Sequence, residues 1–282
     1  MKVGILGRGF GLYGWMPAVL NTLLDAEVFV PARYVITIRS RYDLAGYSDR
    51  IRSCATDDAV LDECEMIILA LTPLKQFEYA QVCFEKSNIT HMILEKPLGS
   101  TPEMGSVLLS QLRHSGKKFL IDYLFRYTQW GEDLLINPAG FEGISWYFQN
   151  PNHAGSWKLD SDPVKGGGPL KFYGIHLLAL CAELGYQKAL YSFESRTNWT
   201  CKLVGSLPDC QLKLATESSP ARFKILQNGK EIWLKEPFAD FGSSDRRIPA
   251  LQETLKDFLR PDFETPHWYE KVNDLWVQAT GA

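Results

Sequence analysis

A short apolar run, Val3–Leu6, opens into Gly7-Arg8-Gly9-Phe10-Gly11-Leu12-Tyr13-Gly14. Glycines in this pattern permit a tight turn and let backbone N–H groups close on a pyrophosphate at a helix N-terminus. Gly7, Gly9, Phe10 and Gly11 are therefore expected against the phosphates. The usual spacing puts a third glycine, or an alanine, where this chain has Leu12. Gly11 and Gly14 flank that place, which predicts a loop that is longer or differently wound. The nucleotide's ribose is ordinarily selected at the end of the second strand, where a carboxylate bonds the ribose and repels a 2′-phosphate. Ile38-Arg39-Ser40-Arg41 is read at that place, with no carboxylate until Asp43. Two guanidiniums and a hydroxyl suit a phosphate. A charge-assisted hydrogen bond contributes ~1.5–3 kcal/mol, roughly ten- to hundredfold in affinity. NADP(H) is expected over NAD(H).

These residues need a frame. Strand-like runs at Val3–Leu6, Tyr34–Ile38, Met66–Leu71, His91–Leu94 and Phe119–Tyr123 alternate with helical stretches at Pro17–Leu24, Asp57–Cys64, Gln76–Lys86 and Thr101–His114. This rhythm predicts an α/β, doubly wound parallel sheet of Rossmann type over residues 1–122. Beyond Arg126 the texture changes. Turn residues cluster at Asn150-Pro151-Asn152 and Gly166-Gly167-Gly168, and a helix over Leu170–Leu184 ends at Gly185. Strands follow at Ala189–Glu194, Thr200–Val204, Gln211–Glu217, Ala221–Gln227 and Glu231–Lys235, with a hairpin turn at Asn228-Gly229. Pro249–Leu259 and Trp268–Thr280 read as helices. Residues 123–282 are thus expected to form an α+β domain with an open, mostly antiparallel sheet that binds substrate and joins subunits.

Composition excludes more than it selects. The 282 residues carry a formal net charge of -3, with 45% hydrophobic and 22% charged residues. That balance suits a soluble two-domain chain and gives no electrostatic case for nucleic acid or an anionic membrane. No apolar run approaches the roughly 18 residues of a membrane span. Glycines and Arg8 interrupt the N-terminal apolar stretch, so it reads as a strand of a cytoplasmic protein and not as a signal peptide. The six cysteines form no C-x-x-C pair and suit no zinc site, so reduced thiols and no metal are expected, with Cys83 and Cys181 packed as small hydrophobes.

Further along, Glu95-Lys96-Pro97 closes the fourth strand and Leu71-Thr72-Pro73 the third. Tyr123-x-x-Arg126-Tyr127 lies where the two halves join, and Gly166-Gly167-Gly168-x-Leu170 precedes Gly174-x-His176. In this order the motifs resemble those of the oxidoreductase family typified by glucose–fructose oxidoreductase and inositol dehydrogenase (the Gfo/Idh/MocA type). The likeness spans roughly residues 3 to 176. It implies a nicotinamide cofactor bound along Leu71, Thr72, Pro73, Glu95, Lys96 and Arg126, with Lys96 near the nicotinamide and substrate. It implies His176 as the acid/base, and a homodimer or homotetramer. The chemistry agrees: hydride transfer to a carbonyl leaves an alkoxide that needs a proton, which an imidazole titrating near neutral pH can provide, while a nearby ammonium can stabilise the developing oxyanion and tune its neighbour's pKa.

The departures carry weight too. The family's aspartate four residues before the histidine is Phe172 here, and its histidine shortly after T-P is Phe77. Tyr173 is a substitute acid, since some members use tyrosine, and Lys171 is a second polar flank. The expected activity is hydride transfer to or from a carbonyl or hydroxyl carbon of a sugar-like substrate, including a nucleotide sugar, with reduction fastest on the acid side of neutrality. Trp146 and Trp157 permit stacking on a sugar. A catalytically weakened nucleotide-binding sensor or accessory protein, and a reductase of an imine or tetrapyrrole, are the alternative readings. Alternating Leu212, Leu214, Phe223 and Ile225 allow a sheet face that joins subunits.

Overall fold

The computed structural model describes residues 1–34, 44, 46–149, 162, 166–235 and 245–280. Six short strands, β1 Lys2–Leu6, β2 Glu27–Pro31, β3 Ile51–Cys54, β4 Met66–Leu69, β5 His91–Glu95 and β6 Lys118–Asp122, build one parallel sheet in the order β3-β2-β1-β4-β5-β6. The inner strands are apolar almost without interruption because helices cover them. Those helices are α1 Met16–Thr22, α2 Asp57–Glu63 and α3 Pro73–Glu85, and α4 Pro102–His114 follows β5 in the chain. The chain winds outward from β1 through β2 and β3, then returns to lay β4 on the other side of β1. The reversal leaves a crevice at the carboxyl ends of β1 and β4, where folds of this kind bind ligands.

Two elements differ from the sequence reading. The second strand is Glu27–Pro31, not Tyr34–Ile38, and residues 35–43, with the expected selector Arg39-Ser40-Arg41, lie outside the described residues. Val28 and Val30 are buried in the sheet, and Phe29 nearly so. The β-branched run at Tyr34–Ile38 outweighed them as a pattern, and β3 is too short to stand out. The helix after the phosphate loop starts early, as a π-helical turn over Gly11–Trp15 that runs into α1. Pro17 has no N–H to give Tyr13 and its ring crowds that carbonyl, so a wider i→i+5 turn ahead of it removes the conflict.

The chain divides into two compact units. The first holds Met1–Leu98, Ser110–Tyr127 and a late segment ending at Thr265. The second holds Gly99–Leu109, a long stretch from Thr128 and the final stretch from Pro266. This is not a single cut between residues 122 and 123. The late segment returns because α7, Ile248–Phe258, packs on α1 and buries Leu251, Leu255 and Phe258 in the first unit's core.

In the second unit, α5 Gln129–Ile136 precedes β7 Phe141–Gln149. Then come α6 Ile175–Glu183, β8 Tyr186–Glu194, β9 Asn198–Gly205, β10 Cys210–Ala215, β11 Glu217–Gln227, β12 Lys230–Leu234 and α8 Trp268–Thr280. The sheet runs β12-β11-β7-β10-β9-β8, parallel where β7 meets β10 and antiparallel at its other pairings. Asn228 and Gly229 take φ of 52° and 68°, the left-handed pair of a tight hairpin. Leu212, Leu214, Phe223 and Ile225 point into the core of this unit, so they are not an open face for a partner. The opposite face exposes Tyr191, Phe193 and Trp233. All six cysteines are free thiols, with Cys83 and Cys181 buried. Among the described residues, no helix is long and apolar enough to cross a membrane, and no cluster of His, Cys, Asp or Glu could hold a metal.

Candidate functional site

The phosphate loop leaves β1 at Gly7, whose φ is +147°. A Cβ there would lie 2.2 Å from the Ala70 carbonyl oxygen, so only glycine lets the ends of β1 and β4 approach so closely. Among the described residues, nothing lies within 4 Å of a Cβ position at Gly9, so the space there is open. Gly11 packs on Ile5 and Ala70, the helix-to-strand contact that the absent glycine at Leu12 would ordinarily provide. Gly14 admits the Phe10 ring. The loop is thus differently wound, as its spacing implied: the π-turn sets Gly11 against the sheet and buries Leu12. Thr72 and Pro73 begin α3 just beyond β4, with Leu71 half-buried before them.

At the end of β2 stand Ala32, Arg33 and Tyr34. The Tyr34 hydroxyl accepts from the Gly7 N–H at 3.1 Å, and burial pushes its pKa up. Arg33 pairs with Asp57 at 2.5 Å and stands over the Tyr34 ring, while its side chain stays 56% exposed. Tyr79 donates a hydrogen bond to the same carboxylate. The described residue at the end of β2 that carries charge is therefore Arg33. Asp57, from the first turn of α2, sits beside it.

Glu95-Lys96-Pro97 ends β5 two strands from the loop. Buried Gln76 on α3 fixes its backbone, donating to the carbonyls of Glu95 at 2.7 Å and Pro97 at 3.3 Å. Trp15, the last residue of the π-turn, donates its indole N–H to Glu95 Oε1 at 2.8 Å, which ties the phosphate loop to the E-K-P motif. Asp122, beside Glu95 at the end of β6, is buried. Burial raises the pKa of both carboxyls, and for Asp122 the Glu95 charge adds to it. Arg247 lies 4.0 Å over the Phe10 ring and grips Asp245 with two bonds of 2.9 and 2.6 Å. Arg126 is half-buried in a 3-10 turn, Leu124–Tyr127, against its neighbour Tyr127. Trp15, Asp122 and Arg247 carried no motif. Only their buried polar contacts reveal them.

In the second unit the candidates share one helix. Leu170–Gly174 forms a second π-helical turn that continues into α6. Gly174 fits because a Cβ would strike the Trp199 ring at 2.8 Å. Glu194 of β8 holds the turn by accepting the Leu170 N–H at 2.8 Å, and burial raises its pKa to about 7. Lys171 is 3% exposed and folds over Gly167, and burial lowers its pKa to about 8. His176 is buried on α6 and Phe172 beside it is also buried, so the family's aspartate position is apolar here. Tyr173 sits edge-on to Trp146 and Phe148, at 5.7 and 5.0 Å between ring centres. Trp146 is itself buried and offers no platform for a sugar. Trp157 lies outside the described residues.

Solved structures share this fold across nearly the whole chain. One is the WlbA (WbpB) dehydrogenase of Thermus thermophilus in complex with NAD and α-ketoglutarate. It is 15% identical over 99% of this chain and 94% of that one, with a TM-score of 0.72. The UDP-N-acetylglucosamine 3-dehydrogenase GnnA of Acidithiobacillus ferrooxidans is 15% identical over 99% and 96%, with a TM-score of 0.64. The myo-inositol dehydrogenase of Lactobacillus casei in complex with NAD(H) and myo-inositol is 15% identical over 100% and 93%, with a TM-score of 0.65. No family model matches the chain, and no curated protein does. The chain has the two-part fold of these dehydrogenases.

Proposed function

We propose that this chain is a nicotinamide-nucleotide-dependent oxidoreductase of the glucose–fructose oxidoreductase and inositol dehydrogenase family. Its substrate is sugar-like, including a nucleotide sugar, and reacts at a carbonyl or hydroxyl carbon. The observation that carries this reading is the Trp15–Glu95 hydrogen bond, which fastens a glycine loop at the strand-order switch to an E-K-P motif on the same sheet edge. The loop fits a pyrophosphate: Gly9 leaves open space for a phosphate, and a helical run starts at Gly11. Gly7, Gly9, Phe10 and Gly11 would hold the phosphates, and Leu71, Thr72, Pro73, Glu95 and Arg126 would line the rest of the cofactor. The bound nicotinamide supplies or accepts a hydride. Lys96 holds the substrate oxygen and gives or takes its proton there. His176 is the second acid/base on the strength of its motif, with Tyr173 as its substitute. NADP(H) is the favoured nucleotide, because the end of β2 carries Arg33 and no carboxylate of its own.

Replacing Lys96 with Met, or His176 with Asn, tests the assignment. Each should slow NADPH-dependent reduction of a keto-sugar by about a hundredfold or more while NADPH still binds. Unchanged turnover in a variant removes that residue from the mechanism. Phe172, buried where the family it resembles has an aspartate, favours a second reading: a sensor that binds the nucleotide without turning it over. NADPH fluorescence that shifts on binding, with no consumption across a panel of keto-sugars, would select it.

A further inference from the structure

At the carboxyl edge of the first sheet, Glu95 of β5 stands in register with Asp122 of β6, and the two carboxyl groups are hydrogen-bonded to each other. Ionised carboxylates have acceptors only, so this bond requires a proton. Glu95 Oε1 already accepts from the Trp15 indole, an arrangement that favours Glu95 as the ionised member. Asp122 is 1% exposed, and its Oδ1 finds no partner among the described residues. A lone buried carboxylate oxygen of this kind is expensive when charged and tolerable when the group is protonated. Among the described residues, the charged groups facing the pair are Lys96 and Arg247, and Arg247 in turn meets Asp245 and Tyr13. Glu95, Asp122 and Asp245 thus stand with Lys96 and Arg247 among the described residues, and a proton on the pair offsets the excess of carboxyls over cations.

We propose that Asp122 is a positioning residue for Lys96: it keeps the proton of the Glu95–Asp122 pair, so that the lysine ammonium faces one negative charge and not two. The role of Lys96 rests on the proposed function; the shared proton does not. A second ionised carboxylate beside Lys96 would hold its ammonium more tightly and make it a poorer proton donor to a substrate oxygen. Protonated Asp122 prevents this up to the pH at which the pair loses its proton. Both carboxyls have raised pKa values, in keeping with that assignment.

The test uses the whole chain and Asp122→Asn, which mimics the protonated acid in shape and keeps a donor toward Glu95. Infrared spectra of the nucleotide-free protein at neutral pH should contain a protonated carboxylic-acid C=O band that Asp122→Asn removes. Melting temperature gives a second readout. A carboxyl whose pKa is raised on folding binds more protons folded than unfolded, so its effect on stability worsens as pH climbs above its ordinary value of 3.8. The wild type should therefore lose stability relative to Asp122→Asn as pH rises. With NADPH and a keto-sugar, the alkaline fall in kcat should move up by about one pH unit in the variant, a change that a merely structural Asp122 would not cause. A spectrum without the band, or parallel melting curves, overturns the shared proton. An unmoved kcat profile overturns the action on Lys96. Should Asp122→Asn fail to fold, the wild-type band and its change in Glu95→Gln decide the shared proton. Absence of turnover with any substrate counts against the proposed function and leaves the spectra and melting curves to decide the pair.

Discussion

Lys96, Arg33 and Lys171 are cations in three different settings, and each setting gives its own prediction. Lys96 was legible because Glu95-Lys96-Pro97 is contiguous and follows an apolar run. Asp122 and Trp15, which face the same cluster, come from distant segments and look like ordinary strand and helix residues until the fold joins them. Arg33 carries no motif, and the β-branched run at Tyr34–Ile38 is a stronger strand pattern than the Glu27–Pro31 segment that Arg33 follows. Its place at the end of β2 predicts that Arg33→Ala narrows an NADPH-over-NADH preference by about tenfold, the size of one charge-assisted bond. Dissociation constants from fluorescence titration check this, and an Arg39→Ala/Arg41→Ala double variant that removes the preference while Arg33→Ala does not would restore the selector to that segment. Lys171 is held down to about 8 by burial. Between that value and the ordinary 10.5 the folded chain binds fewer protons than the unfolded one. Its contribution to stability therefore rises with pH through this window and is lost as pH falls through about 8. Lys171→Met should flatten that rise, which melting temperatures from pH 7 to 10.5 would show.

Both helices that carry candidate residues begin with a π-helical turn, Gly11–Trp15 and Leu170–Gly174. Single π-turns recur at functional sites because the wider turn re-aims side chains that α-helical spacing would direct elsewhere. In the first it brings the Trp15 indole to Glu95. In the second it departs from the 100° step of an α-helix, and so changes how Lys171 and Tyr173 are directed relative to Phe172. Neither turn is visible in apolar periodicity, although Pro17 gave a local reason for the first. The strands fared better: in the first sheet β1, β4, β5 and β6 are apolar runs flanked by turns, while β2 and β3 were passed over. Gly7 is the element-scale control. With φ at +147° and the Ala70 carbonyl 2.2 Å from a Cβ, Gly7→Ala must push β1 and β4 apart. A loss of ~2–4 kcal/mol in chemical denaturation is expected, from backbone strain plus the clash. A loss under about 0.5 kcal/mol, as at an ordinary surface site, would contradict so close an approach.

At the scale of the whole chain, composition bounded a two-part molecule but did not show that the chain returns. α7 completes the first unit from a segment more than a hundred residues beyond Tyr127, and its helical pattern alone does not say which core it serves. Alternation along the second sheet's strands shows that its two faces differ, not which is covered, and the face of Leu212, Leu214, Phe223 and Ile225 is the buried one. The other face exposes Tyr191, Phe193 and Trp233. The central claim is that the glycine loop on β1 binds a nicotinamide nucleotide. Calorimetric titration of the purified chain with NADPH and NADH, beside a Gly9→Asp variant that places a carboxylate in the open space at the loop, tests it most directly. NADPH should bind in the micromolar range and NADH more weakly, and the variant should bind neither. Heats no larger than dilution for both nucleotides at millimolar concentration, or equal binding by the variant, would contradict it.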